Sequence, residues 1–398
     1  MRKDFMFTSE SVTEGHPDKL CDQISDAIVD HFLQQDPYTR VIAECAVASA
    51  ILFIAARFAS PIHADFSGIA RKVIHRIGYD QQAFNAKTCS ILTSLREMPP
   101  DEQSCFDESK LTDEEIERIV VKNQVTVFGF ACNQTAALMP LPIWLAHRLS
   151  RRLTSVRLQN ILSYLEPDGK TQAGIEYRSG RPYRIYSLTV IASQKVTDGK
   201  GGPDVKRLAA DIREAVIDPI FQDEELKPDA KTRIFINPDG PFLTGGPSIH
   251  SGLTGKKNAV DTYGEYARHG GSALSGKDPL RIDRVGAYIA RYAAKNVVAA
   301  GLATECEVQL SYSIGLAGPV SIYVETFGTG KIPDEQIATR IQRHIDFRLA
   351  AIIRRFNLRY LPIVIKGGFY QKLSAYGHMG RMDIGLPWEL TDSAHLLV

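Results

Sequence analysis

Three stretches of this sequence share one order of elements, in which two strands are followed by a helix. The predicted strand, strand and helix occupy residues 40–48, 51–56 and 66–78, then 171–177, 183–193 and 203–221, and then 307–314, 320–326 and 333–346. β-branched and aromatic runs mark the strands, and apolar residues three to four positions apart mark the helices. This order is typical of an α+β protein, and it allows a threefold repeat of the unit.

Length and charge narrow the classes of protein that fit. A chain of 398 residues corresponds to two or three domains, at about 150 residues per domain. The net charge of +1 gives no general attraction to nucleic acid or to an anionic membrane. The basic segment 147–157 lacks interleaved aromatic residues, so we interpret it as a solvated helix face.

Cysteine usage and the apolar runs indicate the compartment. The six cysteines form no C-x-x-C pair, and we interpret them as reduced core thiols. The longest apolar run, 47–56, is too short to cross a membrane, and the first residues do not resemble an apolar leader. We therefore predict a cytoplasmic enzyme that has no nucleic-acid or membrane partner.

Glycines and cations alternate between residues 237 and 284. The block contains Gly245-Gly246-Pro247, Gly252-Leu253-Thr254-Gly255-Lys256-Lys257, His269-Gly270-Gly271 and Ser275-Gly276-Lys277-Asp278. Glycine lets backbone N–H groups approach a ligand closely, and lysine supplies compact positive charge. The block predicts a polyanion site, and a set of ordinary turns is the alternative.

Two further segments carry acids and cations at the spacing of a phosphate site. Gly15-His16-Pro17-Asp18-Lys19 opens a predicted helix, whose free N–H groups favour a phosphate while Asp18 favours its metal ion. Asp278 and Asp283 flank Arg281, a pattern that suits Mg²⁺ between carboxylate and phosphate oxygens. Helix capping by Asp18 and a surface ion-pair cluster at 278–283 are the structural alternatives.

The sequence shows no Ser-His-Asp set, paired-carboxylate site or metal-histidine cluster. A reaction that displaces a polyphosphate with a neutral nucleophile needs none of these, because it requires charge neutralisation and alignment. Residues 98–110 form a polar, turn-rich segment that we predict to be a mobile loop. Thr112 and Glu115 have capping-box spacing at the start of a short helix.

The sequence resembles the S-adenosylmethionine synthetase (methionine adenosyltransferase) family over nearly its whole length. The resemblance lies in Thr8–Ser11, Gly15–Lys19, Asp22–Asp26, Gly245–Pro247, Gly252–Gly255, Asp261–Gly264, Ala267–Gly271, Ser275–Asp278 and Ala375–His378. It implies a three-lobed α+β subunit in a pseudo-threefold arrangement, with segments 1–113, 114–243 and 244–398 interleaved in space. It also implies active sites between the subunits of a homodimer, which often pairs again into a homotetramer.

The resemblance implies a reaction and a set of site residues. Methionine sulfur, or that of a related acceptor, attacks C5′ of ATP, and the released tripolyphosphate is cut to pyrophosphate and phosphate with Mg²⁺ and K⁺ present. The expected catalytic residues are His16, Lys170, Lys257 and Lys277, and the expected ATP-binding residues are Lys19, Asp168, Phe242, Lys256 and Arg281. Arg57, Met98, His250, Arg281 and Ile314 are expected to bind the acceptor, Asp18 and Asp283 to bind Mg²⁺, and Glu44 to bind K⁺.

Several positions depart from the family pattern. His250 stands where the family has an aspartate, Arg57 where it has a glutamate, and Met98 where it has a glutamine. Lys256 stands where the family has arginine, and Arg281 stands where it has lysine. The segment Asn123-Gln124-Val125-Thr126 replaces Gly-Asp-Gln-Gly, and because valine does not favour the backbone conformations open to glycine, we predict a different path for this loop. Three alternatives to methionine adenosylation follow: a paralogue with another acceptor, a nucleotide-binding regulatory relative, and a tripolyphosphate hydrolase.

Overall fold

The computed structural model describes residues 4–99, 105–197 and 200–398. Its strands are β1 Phe5–Val12, β2 Arg40–Ala48, β3 Ile51–Ala59, β4 Ser90–Glu97, β5 Val125–Cys132, β6 Leu165–Arg178, β7 Arg181–Gln194, β8 Val196–Thr197, β9 Lys200–Gly201, β10 Arg233–Ile236, β11 Phe242–Leu243, β12 Gly252–Leu253, β13 Glu305–Tyr312 and β14 Ser321–Glu325. Its α-helices are α1 Pro17–Gln35, α2 Phe66–Ile77, α3 Asp113–Arg118, α4 Leu141–Leu158, α5 Val205–Ile212, α6 Asp218–Ile220, α7 Asn258–Asp261, α8 Ile282–Ala299, α9 Asp334–His344, α10 Leu349–Phe356, α11 Leu361–Val364 and α12 Tyr370–Leu373.

Three sheets carry the fold, and each combines strands that are distant in sequence. The first sheet has the order β1-β6-β7-β10 with β11 beside β7, the second the order β12-β2-β3-β4, and the third the order β14-β13-β5. In each sheet a central antiparallel hairpin or strand is completed by a strand from another third of the chain. The lobes are therefore interleaved, as expected.

Three long helices repeat one relationship to these sheets. Helix α1 follows β1 of the first sheet but packs against β2 of the second, and α8 follows β12 of the second sheet but packs against β5 of the third. Helix α4 follows β5 of the third sheet and packs against β6 of the first. Each long helix thus packs against a different sheet from the one that contains the strand before it, which confirms the three-lobed α+β architecture. The segment boundaries at 113 and 243 stay predictions.

Local sequence explains where the site-bearing helix begins. His16 is the N-cap of α1, Pro17 takes the first helical position, and Asp18 lies in the first turn. The face of α1 that carries Leu20 and Ile24 is buried against the second sheet. Thr112 and Glu115 form the predicted capping box of α3.

The second sheet has one buried face and one exposed face. Val41, Ala43, Cys45 and Val47 alternate with more exposed residues along β2, and the buried set packs beneath α1. The opposite face, called here the outer face, carries the exposed residues of β2, β3 and β4. This outer face is where the functional clusters described below meet.

Some expectations require correction. The predicted strand 171–177 spans 165–178, because the hairpin with β7 continues through register shifts at both ends. The predicted helix 203–221 is interrupted by a π-helical stretch, Arg213–Ile217. Five cysteines are buried and none is in a disulfide, but Cys105 is exposed and so is not a core thiol. The predicted loop 98–110 includes residues 100–104, which lie outside the described residues.

The basic segment 147–157 is part of α4, and three of its four arginines are ion-paired, while Arg152 donates to the carbonyl oxygen of Ala215. Arg148 pairs with Glu224, Arg151 with Asp383 and Arg157 with Glu14. Pairing with acids of the same chain agrees with a structural role for this face. Among the described residues, no helix combines the length and apolar character needed to cross a membrane.

Candidate active site

The N-terminus of α1 is the centre of the first cluster, called here the His16 cluster. Gly252 allows this arrangement, because a Cβ on it would lie 2.2 Å from the carbonyl oxygen of Pro17. That close approach brings the segment after β12, with Lys256 and Lys257, against the start of α1. The cluster comprises His16, Asp18, Asp168, Lys170, Phe242, His250, Lys256 and Lys257.

His16 is held as a neutral imidazole. Burial, followed by the charges of Lys257 and Lys170, lowers the pKa of His16 to about 2. The backbone N–H of Asp18 donates to His16 Nδ1 over 3.3 Å, so the ring proton resides on Nε2. His16 therefore offers one N–H donor at neutral pH and carries no charge.

Asp18 and Lys256 face each other across this helix terminus. Asp18 Oδ1 is buried and accepts no hydrogen bond, and Lys256 Nζ lies 3.7 Å from it. Burial is the main cause that raises the pKa of Asp18. Lys257 is held differently, since its Nζ lies 2.7 Å from Glu10 Oε1.

Asp168 lies on β6, between the glycines and the aromatic residue of the cluster. Its Oδ2 accepts the backbone N–H of Gly246 over 2.8 Å, and its Oδ1 is buried with no hydrogen-bond partner among the described residues. The His250 ring is centred 6.5 Å from that of Phe242. A buried acceptor oxygen and an aromatic face thus lie on the same side of the cluster.

Lys19 lies in a buried ion-pair network, and its expected role in ATP binding stays a prediction. Its ammonium is completely buried, 2.8 Å from Asp22 Oδ2 and in contact with Asp261 Oδ1. Both carboxylates raise the pKa of Lys19 despite its burial. Asp22 also accepts the N–H of Gly255 over 2.7 Å, and Asp261 ends α7. The lysine therefore joins α1 to both ends of the Lys256-Lys257 segment.

The glycine block works differently from the sequence interpretation. The N–H groups of Gly246, Gly255 and Gly276 donate to Asp168, Asp22 and Asp26, so they are not turned toward a ligand. At these three positions the prediction of a backbone cradle was wrong. Cationic side chains, rather than backbone amides, make the cluster electropositive.

The second cluster, called here the Lys277 cluster, surrounds the start of α8. Lys277 Nζ lies 3.4 Å from Asp283 Oδ1, and Arg281 is the N-cap residue of α8. Burial lowers the pKa of Lys277, and this effect outweighs the negative charges of Asp283 and Glu44, which act to raise it. The charge of Lys277 in turn lowers the pKa of Asp283.

Asn123 belongs to the Lys277 cluster, a contact that residue-by-residue reasoning missed. Its side-chain amide donates to both oxygens of Asp283, over 2.9 and 3.0 Å. Val125 is the first residue of β5 and has no left-handed backbone, which suits its β-branched side chain. The only sequence signal for the contact was the departure of segment 123–126 from the family pattern.

The outer face of the second sheet links the two clusters. Lys277 forms an isolated β-bridge with Ile42, and Ile42 is paired with Arg57 in the β2–β3 ladder. Arg57 is in turn paired with Arg96 on β4, so these four residues form one row across the strands. A parallel row contains Leu253, Ala46, Phe53 and Leu92. The rows are four residues apart along β2, or about 13 Å. Glu44 lies on this face between them, as β2 alternates.

The remaining expected acceptor residues lie toward the Lys277 cluster. Met98 follows β4 and donates its backbone N–H to Phe58. Ile314 is exposed after β13, and its neighbour Gly315 bonds to Val121, two residues before Asn123. His250 lies with the His16 cluster instead. Within one chain, the expected acceptor residues therefore lie partly in the His16 cluster and partly near the Lys277 cluster.

A cavity of about 290 Å³ opens beside the Lys277 cluster. Four cations line it, Arg40, Arg118, Lys122 and Arg281, together with Asn123 and an apolar wall of Phe106, Ile119, Val120, Leu280, Ile282 and Leu349. The cavity shares Asn123 and Arg281 with the cluster. It therefore extends this half of the site.

The site contains single carboxylates rather than a metal cage. Among the described residues, no three histidine, cysteine, aspartate or glutamate side chains are grouped as a metal site. The buried Oδ1 of Asp18, which accepts no hydrogen bond, fits a hard cation whose remaining ligands come from phosphate oxygens and water. Asp283 has less free capacity, because Asn123 already donates to both its oxygens.

Comparisons with known proteins agree with this architecture. The N-terminal, central and C-terminal domains of S-adenosylmethionine synthetase match residues 4–100, 118–242 and 244–390. The chain is 49% identical over 401 residues to S-adenosylmethionine synthase of Synechococcus sp. (strain JA-3-3Ab), covering 98% of this chain and 97% of the relative. It is also 49% identical over 407 residues to S-adenosylmethionine synthase of Microcystis aeruginosa (strain NIES-843 / IAM M-2473), covering 100% of this chain and 98% of the relative.

The α+β fold and the matches to S-adenosylmethionine synthases place the chain in the class of transferases. Because the three domain matches together span most of the chain and the identities extend over its whole length, the chain belongs to the S-adenosylmethionine synthetase family.

Proposed function

We propose that this chain transfers the adenosyl group of ATP to the sulfur of methionine, forming S-adenosylmethionine. Tripolyphosphate is the leaving group, and it is then hydrolysed to pyrophosphate and phosphate. Full-length identity to relatives named S-adenosylmethionine synthase supports this activity over the alternatives of a regulatory relative or a hydrolase.

The observation that carries the proposal is the neutral, single-tautomer His16 among lysines. The charge that develops as the C5′–O bond breaks lies on the departing oxygen, and a fixed N–H donor stabilises it without a proton transfer. His16 Nε2 is such a donor, because Nδ1 is occupied by the N–H of Asp18. Lys170 and Lys257 add positive charge on the same side.

Binding of ATP would use the remaining groups of the His16 cluster. The free Oδ1 of Asp168 can accept a ribose hydroxyl, and the Phe242 ring can stack on adenine. Lys256 and Lys257 would contact the polyphosphate, whereas Lys19 would hold these two lysines in place.

Magnesium and potassium complete the proposed site. Bound Mg²⁺ would neutralise polyphosphate oxygens and so improve the leaving group. Asp18 is the better protein ligand, since its Oδ1 accepts no hydrogen bond, whereas Asp283 would need to share its oxygens with Asn123. Glu44 would contribute to K⁺ binding from the outer face.

A homodimer follows from the distribution of the two clusters. The row of Leu253, Ala46, Phe53 and Leu92 exposes apolar side chains between them, and such a patch favours burial against a partner. A twofold axis through this face would place the His16 cluster of one subunit opposite the Lys277 cluster of the other. We propose that two such composite sites form per dimer, and that dimers can pair further into a tetramer.

The activity is tested by incubating pure protein with ATP, Mg²⁺, K⁺ and methionine, and by mass spectrometry of the products. S-adenosylmethionine, pyrophosphate and phosphate in equal amounts are expected. Phosphate release without adenosylated product, or at a rate independent of methionine, would contradict the proposal. Omission of K⁺ and of Mg²⁺ in parallel tests the two ions separately.

A further inference from the structure

Arg57 and Arg96 lie side by side on the outer face of the second sheet. They are directly paired in the parallel register of β3 and β4, and both side chains are exposed. Neither forms an ion pair with a described residue. Like charges in directly opposed strand positions destabilise a sheet, so an arginine pair of this kind favours an anion that can bridge it.

The pair continues the cationic row that begins at Lys277. Lys277 bridges Ile42, and Ile42 pairs with Arg57, so all four side chains share one face of the sheet. With neighbouring strands about 4.8 Å apart, Arg57 is about 10 Å and Arg96 about 14 Å from the Lys277 strand position. The row therefore leads from the Lys277 cluster to a second, separate cationic end.

The residues expected to contact the acceptor contain no acid. They are Arg57, Met98, His250, Arg281 and Ile314, and an amino acid's ammonium group gains no ion pair from any of them. The nearby acids are engaged elsewhere, since Asp283 is bonded to Asn123 and Glu10 pairs with Lys257. Glu44 and the oxygens of Asp18 and Asp168 that accept no hydrogen bond remain, and the proposed function uses them for K⁺, Mg²⁺ and ribose.

We infer that Arg57 and Arg96 form a carboxylate clamp that binds the acid end of the sulfur acceptor, and that the acceptor's ammonium group contributes little to recognition. This inference rests on the proposed function and extends it by naming Arg96 as an acceptor-binding residue. The planar guanidinium fork matches a carboxylate through two parallel hydrogen bonds. Displacement at C5′ requires the nucleophile opposite the leaving group, which places the acceptor away from the polyphosphate.

The acceptor class follows from this chemistry. A thioether carboxylate is sufficient, so 4-(methylthio)butanoate, which is methionine without its amino group, should be adenosylated with a kcat/KM within about threefold of that for methionine. Methioninamide retains the ammonium group but lacks the carboxylate. It should be at least tenfold worse, because it leaves two arginines without an anion.

The experiment compares wild type, Arg96→Gln, Arg96→Lys and Arg57→Gln with these three acceptors and with ATP. Arg96→Gln should raise KM for methionine and for 4-(methylthio)butanoate at least tenfold and leave KM for ATP within twofold. Arg96→Lys should recover part of the loss, since it keeps the charge but not the fork. Arg343→Gln, at an exposed position on α9, is the matched control and should change neither KM.

A binding measurement separates this inference from the proposed function. The rise in Tm that each acceptor causes is measured with an ATP analogue that has a methylene group in place of the 5′-oxygen, so that no C5′–O bond can break and adenosyl transfer is blocked. If methionine and 4-(methylthio)butanoate both raise the Tm of the wild type and neither raises the Tm of Arg96→Gln, the result supports the clamp. This conclusion does not depend on whether the wild type forms S-adenosylmethionine. Equal responses to methioninamide, a change in KM for ATP alone, or dissociation of the Arg96→Gln dimer would each overturn it.

Discussion

The side-chain amide of Asn123 donates hydrogen bonds to both carboxylate oxygens of Asp283. These two residues are 160 positions apart in the chain, and their contact ties the segment before β5 to the first turn of α8. Asn123 adds a neutral donor to the charge of Lys277, whose Nζ lies 3.4 Å from Asp283 Oδ1. Together the two side chains reduce the dependence of this half of the site on bound metal.

Replacing the donor tests that relationship. In Asn123→Asp two carboxylates face each other, so we expect the folded state to lose about 1 to 3 kcal/mol in EDTA. Added Mg²⁺ should restore Tm in this variant by more than it changes the wild type. Thermal unfolding with and without Mg²⁺ measures both effects. Asn123→Ala removes the donor without adding charge, and an identical Mg²⁺ response in the two variants would contradict the expectation.

Lys19 is expected to affect stability before it affects ATP affinity. Lys19→Met leaves the buried carboxylates of Asp22 and Asp261 uncompensated, and breaking such a pair costs about 3 to 5 kcal/mol. Urea unfolding should show this loss. Lys257→Met, at a partly exposed position, should retain wild-type stability and lose turnover. A stable Lys19→Met with only a raised KM for ATP would instead support a direct role of Lys19 in ATP binding.

His16 should act as an uncharged donor throughout the working pH range. Since the pKa of His16 is about 2, kcat should show no inflection from this residue between pH 5 and 9. His16→Asn keeps a good helix N-cap, so its Tm should stay near that of the wild type while kcat falls about 100-fold or more. Steady-state kinetics and thermal unfolding of the same preparation check this pair of outcomes.

The apolar row on the outer face should hold the dimer together. Phe53→Asp places a charge in the centre of that row, and we expect it to give monomers without activity. Sedimentation velocity measures the change in mass. Tyr183→Asp, at an equally exposed aromatic residue on β7, is the control and should leave the oligomer intact. A fully active Phe53→Asp monomer would exclude a composite site.

His147 should make the fold sensitive to acid. Burial lowers the pKa of His147 to about 3, and its Nδ1 lies 2.9 Å from Ser11 Oγ. The unfolded chain binds a proton near pH 6.5 and the folded chain does not, so stability falls as pH drops from 6.5 toward 3. From pH 7 to pH 5 this residue alone costs about 2 kcal/mol.

The variant His147→Gln isolates that contribution. Its free energy of unfolding in urea should change less between pH 7 and pH 5 than that of the wild type. Asp30 acts in the opposite sense, because burial raises its pKa to about 7, but it is present in both proteins and cancels in the difference. Equal pH dependence in the two proteins would mean that His147 does not resist protonation.

Local patterns predicted the elements better than the contacts between them. The caps of α1 and α3 and the stop of α2 at Gly78 depend on residues within one turn, so they could be inferred directly. The burial of Lys19 could not, because Asp261 lies 242 positions away. The pairing of Arg57 with Arg96 depends on a parallel register, which the strand sequences alone leave open.

The amino-acid sequence by itself determined the family, the α+β class, the helix start at His16 and the collection of cations that a polyphosphate requires. These depend on residue types and short spacings. Only the tertiary structure decided which cations are available, because burial and pairing place Lys19 among carboxylates and leave Arg57 and Arg96 exposed on a sheet face. Charge is a property of a residue, but its availability depends on the neighbours that folding brings to it.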